Sequence, residues 1–464
     1  MTEQEKTKNL SGPIPFQKSL DESLASKFFI KGNWPKSNWW EDFHDENLTI
    51  LIQEALTKNP SLKSVESRIE QIKSRARITK SRLFPSLFFT ADDNWRYLSK
   101  NGFTHLLNPS LPLNGYEIDL SLAFQYEFDF WGKNRNKFLS VLGEIKTEEA
   151  EFEQAKLIIT TALAQSYFAL SINESKKYIY EKLYDIQNLK YRLQEQLQQS
   201  ALSSKITPLW DEEKMLEAKQ DLLTIEDEIQ TERHFINVLA GKSPDEHISS
   251  LTVKQNFSPI PIPRNISLNL LSRRPDLIAQ IWRIESLSHL VSAAKADFFP
   301  NINLAAMAGL ASISFQNLFS LGSKSAGIEP ALSLPVFTAG AIKANVKEKK
   351  ALFDQAVFEY NQLILFSAQE VTDLLSHIHT TFTKKQQQEE IVKAANKRYY
   401  LTKLNQDSAL ATAFASLDNQ EELLLQEIKD LTLLYNQYAF VIKLIKALGG
   451  GFMQTSPIGP RNDS

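Results

Sequence analysis

The feature that most constrains this fold is the length of the stretches without a helix breaker. The longest, 341–448, contains neither glycine nor proline, and the stretches 144–207 and 209–240 contain none either. An average globular helix has about 11–12 residues, so these stretches predict very long helices. An unbroken helix of the longest stretch would measure roughly 160 Å. We therefore predict a helical hairpin that turns near 405–415, and an earlier one that turns at 200–208.

Apolar residues in these stretches recur at alternating spacings of three and four. This heptad pattern is typical of helices that pack along one another. The first row is interrupted at Lys190. The rows consist of Ile179, Leu183, Ile186, Leu193 and Leu197 in the first hairpin, and of Leu424, Ile428, Leu431, Tyr435, Tyr438, Ile442 and Ile445 in the second. On these helices alone, a soluble coiled-coil scaffold is an open alternative.

Residues 116–130 alternate between apolar side chains and polar or small ones. A period of two sustained over this whole segment predicts a strand with two unlike faces, far longer than the globular average of about 5–6 residues. Long alternating strands with aromatic ends are typical of transmembrane β-barrels. We predict that one face contacts lipid through Ile118, Leu120, Leu122, Phe124 and Tyr126. The other face is predicted to line a lumen through Glu117, Asp119 and Gln125.

Three weaker alternating segments, at 87–97, 302–310 and 328–336, supply further strands. Together they form two strand pairs, at about 86–130 and 300–337. Four strands cannot close a barrel, and an open sheet edge in lipid leaves backbone groups unpaired at several kcal/mol each. We therefore predict a homotrimer that shares a barrel of about 12 strands in contact with outer-membrane lipid, within the range known for such barrels.

The two halves of the chain share one order of elements. Phe84-Pro85-Ser86 opens the first strand pair and Phe299-Pro300-Asn301 opens the second, while Gly132 and Gly340 follow the two pairs. Each half reads as a helix (48–83 or 268–298), a strand pair and a long helical hairpin, which predicts a tandem repeat. The predicted segments are an N-terminal extension at 1–46, a first repeat at 47–242, a linker at 243–266, a second repeat at 267–450 and a flexible tail at 451–464.

Composition excludes several classes of function. The net charge of −3 argues against a nucleic-acid binder, which needs a basic face. The chain has no cysteine, which removes disulfides, thiolate nucleophiles and cysteine-based metal sites. No apolar run reaches the roughly 20 residues of a membrane helix. We expect no enzyme, no cofactor and no metal site, because the seven histidines are dispersed and the run Gly449–Gly451 lacks the Lys-Ser/Thr of a phosphate loop.

Several ordered motifs resemble the TolC-type outer-membrane efflux channels, in particular the lipoprotein branch that serves resistance–nodulation–division pumps. They run in family order over nearly the whole chain, and their order is more specific than any one of them. The motifs are Gly12-Pro13, WWEDF at 39–43, LTILIQEALTKN at 48–59, YEFDFWGKNR at 126–135, LSRRPDL at 271–277, AKADFFPN at 294–301, LPVFTAG at 334–340 and LIKALGGGF at 444–452.

The resemblance implies a mainly α fold with a membrane β-barrel. Three chains would form a 12-stranded barrel in the outer membrane of a Gram-negative bacterium, together with a periplasmic tube of 12 helices around which the N-terminal extension wraps. The implied function is a passive exit duct for drugs or other small molecules. Its implied partners are a periplasmic adaptor and an inner-membrane resistance–nodulation–division pump. A type I protein secretion channel is the alternative within this family.

The resemblance also implies a gate at the hairpin tips. In the family, a stretch like Leu-Asp-Ala-Gln-Arg narrows the periplasmic end through its Asp; here 417–421 read Leu-Asp-Asn-Gln-Glu, so Asp418 matches. Phe414 falls at the bulky constriction and Thr207 at an acidic position of the first hairpin. Glu421 replaces a basic residue, which questions the family's closing ion pairs. Three Asp418 carboxylates would repel one another and attract cations.

The resemblance further implies a lipidated cysteine at the start of the mature chain. Residues 1–10 are polar and charged, without the apolar core of a signal peptide, and the chain has no cysteine. We expect a processed or trimmed N-terminus. Either the sequence starts after the lipidated residue or this protein lacks the lipid.

Overall fold

The computed structural model describes residues 10, 12, 28–110, 112–247, 260–262, 266 and 273–453. The strands are β1 (Phe29–Lys31), β2 (Ser86–Tyr97), β3 (Asn114–Phe128), β4 (Ile260–Ile262), β5 (Asn301–Ser312) and β6 (Lys324–Ser333). The helices are α1 (Glu46–Lys58), α2 (Pro60–Ser81), α3 (Phe103–Leu107), α4 (Lys133–Gln199), α5 (Thr207–Leu239), α6 (Pro275–Ala296), α7 (Ala341–Asp407) and α8 (Ala413–Ala447). Short 3-10 turns lie at Trp39–Phe43, Phe315–Asn317 and Leu321–Ser323.

These elements agree with the predicted class, a mainly helical chain with two strand pairs. Helices α4 and α7 have 67 residues each, about 100 Å at 1.5 Å per residue. The predicted helix 48–83 is two helices, because Asn59 is extended before Pro60, as residues before proline usually are. The parallel pair of β1 and β4 was not predicted, since three-residue strands carry no periodicity. The N-terminal extension before residue 28, the motif at Gly12-Pro13 beyond Gly12, most of the linker and the tail after 453 lie outside the described residues.

The two repeats also share the backbone conformation of individual residues at the ends of their helices. Gly132 and Gly340 precede the two long helices with φ of 71° and 86°. Ala201 and Ala409 follow those helices with φ of 58° and 60°, and the next amide donates back to a carbonyl five positions earlier in both halves. Gly241 and Gly449 follow the second helix of each hairpin with φ of 74° and 88°. The same sequence separation relates the two members of every pair, so the two halves end their helices in the same way.

The chain divides into two compact units, and α4 and α7 contribute residues to both. The sheet unit contains Arg68–Glu148 and Gln280–Glu359. Its four strands are antiparallel in the order β2-β3-β5-β6. Helices α4 and α6 approach closely beside it, because Gly143 has no side chain where it meets Ser286, and Ser140 and Ser286 share a hydrogen bond of 2.9 Å.

The helical unit contains the described residues of 28–67, 149–279 and 360–453. Its largest apolar core gathers the buried Trp39 and Trp40 with side chains of α1, α4, α5 and α8. Phe168 and Tyr438 stack there with ring centroids 4.0 Å apart. The Tyr167 hydroxyl donates to Asp45 at 2.7 Å, and Asp45 also caps α1.

The sequence shows no apolar run as long as a membrane helix, but one helix of the structure has a window of comparable hydropathy. Among the described helices, α4 contains a window that is long and apolar enough to cross a membrane, and 72% of that window is buried within the protein. A buried core helix has the same length and composition, so the window does not argue for a membrane span.

Candidate functional site

The four-stranded sheet has two faces of opposite character, because facing residues of paired strands project to the same side. In this register the even-numbered residues of β3 share a side with Leu87, Phe89, Ala91 and Trp95 of β2, with Ile302, Leu304, Ala306, Ala308 and Leu310 of β5, and with Ala326, Ile328, Pro330 and Leu332 of β6. We call this side the apolar face. Its charged members, Asp93 and Lys324, both lie toward the hairpin-loop end.

The five residues predicted to face lipid lie together on the apolar face. Ile118, Leu120, Leu122, Phe124 and Tyr126 are the even-numbered residues in the middle of β3. Leu122 is exposed, with Phe89 opposite it on one neighbouring strand and Ala308 on the other. The alternation that was clear in one strand therefore continues across all four.

The three residues predicted to face the lumen lie on the opposite side, the polar face. Glu117 lies opposite Asn94, and Arg96 approaches the Glu117 carboxylate at 3.9 Å. Asp119 lies directly opposite Asp92, while Gln125 lies between Ser86 and Ala305. The polar face thus carries carboxylates, amides and hydroxyls among small residues and the two larger apolar ones Phe88 and Met307, whereas the large apolar side chains of β3 all lie on the apolar face.

The hairpin tips hold the predicted gate residues. Thr207 is the first residue of α5, directly before Pro208, and is half-buried. Phe414 is the second residue of α8 and is half-buried as well. The Thr412 side chain caps α8 by accepting from the Ala415 amide. Asp418 lies one turn further along this helix.

Asp418 is not an isolated carboxylate. Lys190 of α4 donates to Asp418 at 2.6 Å and to Glu421 at 2.5 Å, so one ammonium joins two carboxylates of α8. The Lys190 side chain is only 5% exposed, whereas that of Asp418 is 65% exposed. We call these three residues the tip cluster. Asp418 is thus paired with a positive charge of its own chain. The predicted ring of three repelling carboxylates did not include this charge.

The cluster interrupts the predicted apolar row of α4 and lies one turn beyond the end of the row of α8. Leu424 packs with Ile179, Leu183 and Ile186, so the rows of α4 and α8 meet each other. Toward the tips, Glu421 lies one turn beyond Leu424, while Lys190 lies between Ile186 and Leu193. They form a polar layer in an apolar seam, and such a layer fixes the register of packed helices.

Burial and pairing act in opposite directions on Lys190. Burial lowers the pKa of its ammonium, but hydrogen bonds and charge from Asp418 and Glu421 outweigh burial and raise the pKa above its usual value. Lys190 therefore stays charged at physiological pH. On α5 nearby, the pKa of Asp211 is raised above its usual value, mainly by burial. The charges of Lys214 and Lys190 oppose this rise, and the charge of Asp418 adds to it.

Sequence reasoning missed Lys190 as a functional residue. The signal was present, because a lysine at a heptad core position is buried and must therefore pair with a counter-charge. Its partners belong to the second repeat, and only the packing of α4 on α8 reveals them. Glu421 stands where the resemblance implies a basic residue, yet the tip keeps an ion pair, because the positive charge comes from the other hairpin.

A family model described as outer membrane efflux protein matches residues 51–242 and 267–450. The chain is 26% identical over 432 residues to the multidrug resistance outer membrane protein MdtQ of Escherichia coli O6:H1, covering 91% of this chain and 90% of MdtQ.

Two solved structures have a similar fold. The outer membrane protein VceC of Vibrio cholerae matches with a TM-score of 0.80 and 27% identity, over 90% of this chain and all of VceC. The CmeC outer membrane channel of Campylobacter jejuni matches with a TM-score of 0.88 and 22% identity, over 94% of this chain and 93% of CmeC. At that identity the second match concerns the fold alone.

Proposed function

The chain belongs to the outer membrane efflux protein family, and from that premise we propose that three copies of it form a closed barrel and a gated duct. The family places the chain in the outer membrane of a Gram-negative bacterium, as an efflux exit duct and not an enzyme. This assignment decides against the soluble coiled-coil scaffold. The trimer, the cargo, the partners and the gate are the proposal.

The observation that carries the proposal is the two-faced sheet. One face is apolar across four strands and the other is polar, while β2 and β6 each have one free edge within the described part of the chain. A barrel of about 12 strands from three copies has no free edge and turns its apolar face to lipid. The polar face with Glu117, Asp119 and Gln125 then lines a water-filled lumen.

The duct is proposed to carry drugs or other small molecules, since relatives at about a quarter identity are named multidrug resistance outer membrane proteins. It would receive them from a periplasmic adaptor and an inner-membrane resistance–nodulation–division pump, as the family resemblance implies. A duct of this kind needs no cofactor.

The tips are proposed to be closed at rest. A threefold axis would bring three copies of Phe414 and of the tip cluster to one opening. Phe414 would supply an apolar constriction that resists wetting. Each cluster has one positive and two negative charges, so the ring keeps a net negative charge that attracts cations while the ion pairs hold α8 against α4.

Dye accumulation in the native host tests the cargo. Deleting the gene should raise the ethidium content of the cells, and the wild-type gene on a plasmid should lower it again. Unchanged ethidium together with the loss of a protein from the medium would contradict drug export and favour a type I secretion channel.

A further inference from the structure

Strands β2 and β6 form the two edges of the four-stranded sheet, and among the described residues each presents an unpaired row of backbone N–H and C=O groups. In lipid these groups must be paired. A closed trimer, on which this inference rests, joins β6 of one copy to β2 of the next. It does not by itself say which residues face each other across that joint.

The chain contains an internal version of the same joint, where β3 ends the first strand pair and β5 begins the second. The repeat relates β3 to β6, because the positive-φ glycines Gly132 and Gly340 follow these strands. It relates β2 to β5, because both strands have 12 residues and both begin directly after a Phe-Pro turn. Strand β6 and the β2 of the next copy are therefore equivalent to β3 and β5.

The turns that flank the strands fix this equivalence residue by residue. Counted back from the two glycines, Ala331 takes the place of Ala123, and Ile328 takes the place of Leu120. Counted forward from the two Phe-Pro turns, Asp92 takes the place of Met307, and Trp95 takes the place of Leu310. Within the chain, Ala123 lies opposite Met307 and Leu120 lies opposite Leu310.

We infer that β6 pairs with the next copy's β2 in the register of β3 and β5. The two internal pairs then become intermolecular ones. Ala331 faces Asp92 of the next copy, and Ile328 faces Trp95 of the next copy.

The faces of the sheet provide an independent check of this register. A slip of one residue would turn every side chain of the incoming strand to the wrong side. In the inferred register, Ile328 and Trp95 both lie on the apolar face, and Ala331 and Asp92 both lie on the polar face. The equivalence came from turns outside the strands, so this agreement was not built into it.

Apolar side chains beside the proposed β6–β2 joint are exposed to solvent in a single copy. In the internal joint, Trp131 stacks on Phe299 at 4.7 Å and its indole N–H donates to the Pro300 carbonyl at 2.8 Å. The residue equivalent to Phe299 is Phe84, which is 59% exposed. The segment equivalent to 128–131 is 336–339, where Val336 and Phe337 are 90% and 89% exposed. Joining two copies in the inferred register brings this segment against Phe84.

Disulfide cross-linking tests the register, and the absence of native cysteine makes each introduced thiol unique. The double variant Ala331→Cys/Asp92→Cys, oxidised in isolated outer membranes, should give a covalent trimer on a denaturing gel that dithiothreitol returns to monomer. Each single variant should stay monomeric. Ala123→Cys/Met307→Cys is the matched internal control and should form its disulfide within one chain.

A shifted pair makes the test specific. Ala331→Cys/Phe88→Cys keeps the same face but moves one thiol four positions, or about 13 Å, along β2, and should cross-link poorly. Preferential cross-linking of the shifted pair would overturn the register. If the wild type forms a particle of three copies but neither double variant cross-links, the β6–β2 joint is overturned. Native mass spectrometry showing no three-copy particle would instead overturn the trimer itself.

Discussion

Lys190 occupies a core position of a helical seam, and two carboxylates of α8 hold its ammonium there. Lys190→Met should leave Asp418 and Glu421 facing each other without a counter-charge. Charged hydrogen bonds of this kind contribute about 1.5–3 kcal/mol. We expect faster backbone hydrogen exchange in 405–425, measured by mass spectrometry.

Two further variants delimit this effect. Lys393→Met removes an exposed lysine of α7 whose partner Glu390 is one turn away on the same helix, and it should leave the tip exchange unchanged. Adding Asp418→Asn and Glu421→Leu to Lys190→Met should restore slow exchange, because an apolar layer replaces the polar one. If Lys190→Met exchanges like the wild type, the tip cluster does not hold α8.

Glu232 of α5 predicts a pH dependence of stability. Burial raises the pKa of this carboxyl, a Ser166 hydrogen bond opposes the rise, and the charge of Glu228 adds to it. The folded chain therefore holds the proton more tightly than the unfolded chain, so this group destabilises the folded state as pH rises above about 4.3. Glu232→Gln should stabilise the protein at pH 7 by about 1 kcal/mol. Thermal unfolding should show no such gain at pH 4 or for the exposed Glu217→Gln, and a gain that persists at pH 4 would contradict the role of ionisation.

At the scale of elements, strand β3 places alternate side chains on the two opposite faces of the sheet. Leu122→Arg places a charge on the predicted lipid face near the middle of the strand, and should cost roughly 2–4 kcal/mol. Ala123→Arg is the matched control on the polar face and should mainly alter conductance. The yield of heat-sensitive oligomer in outer membranes measures the assembly of both variants. Equal assembly of Leu122→Arg and wild type would show that the lipid-facing assignment is wrong.

The ends of the long helices carry a second prediction at this scale. Ala201 and Ala409 have positive φ, a conformation that costs a non-glycine residue about 1–2 kcal/mol. Ala201→Gly and Ala409→Gly should each raise the free energy of unfolding by up to about 1 kcal/mol, since glycine relieves this strain at some entropic cost. Gly340→Ala should lower it, through the backbone alone, because an added Cβ would meet nothing within 4 Å. Denaturant unfolding measures these free energies. If Ala201→Gly and Ala409→Gly are less stable than the wild type, the two alanines are not strained.

Elements with a strong period could be predicted from the sequence, and elements set by distant contacts could not. The observed β3 ends at Phe128, just before the end of the alternating segment 116–130, and α4 ends at Gln199, directly before the predicted turn at 200–208. The parallel pairing of Phe29–Lys31 with Ile260–Ile262 joins segments from different halves of the chain and leaves no local pattern. Lys190 was visible only as a gap in an apolar row, because nothing near it in the chain identifies Asp418 as its partner. The lipid-facing, lumen-facing and gate residues stay predictions.

For the whole molecule, the repeat explains how one chain can serve as one third of a ring. Each half contributes two strands and one long hairpin, and the two halves end their helices at equivalent positions. A trimer of two-repeat chains would therefore present six nearly equivalent units around the axis. The joints within a chain and between chains would then share one geometry.

The conductance of the purified three-copy particle in a planar lipid bilayer tests the gated duct most directly. The wild type should open small single channels, and multivalent cations added on the side of the tips should block them. Phe414→Ala/Asp418→Ala should raise the single-channel conductance and weaken the block, while the particle keeps three copies. An unchanged conductance would move the gate away from Phe414 and Asp418, with Thr207 the next residue to test. A three-copy particle that conducts no ions in either form would contradict the duct itself.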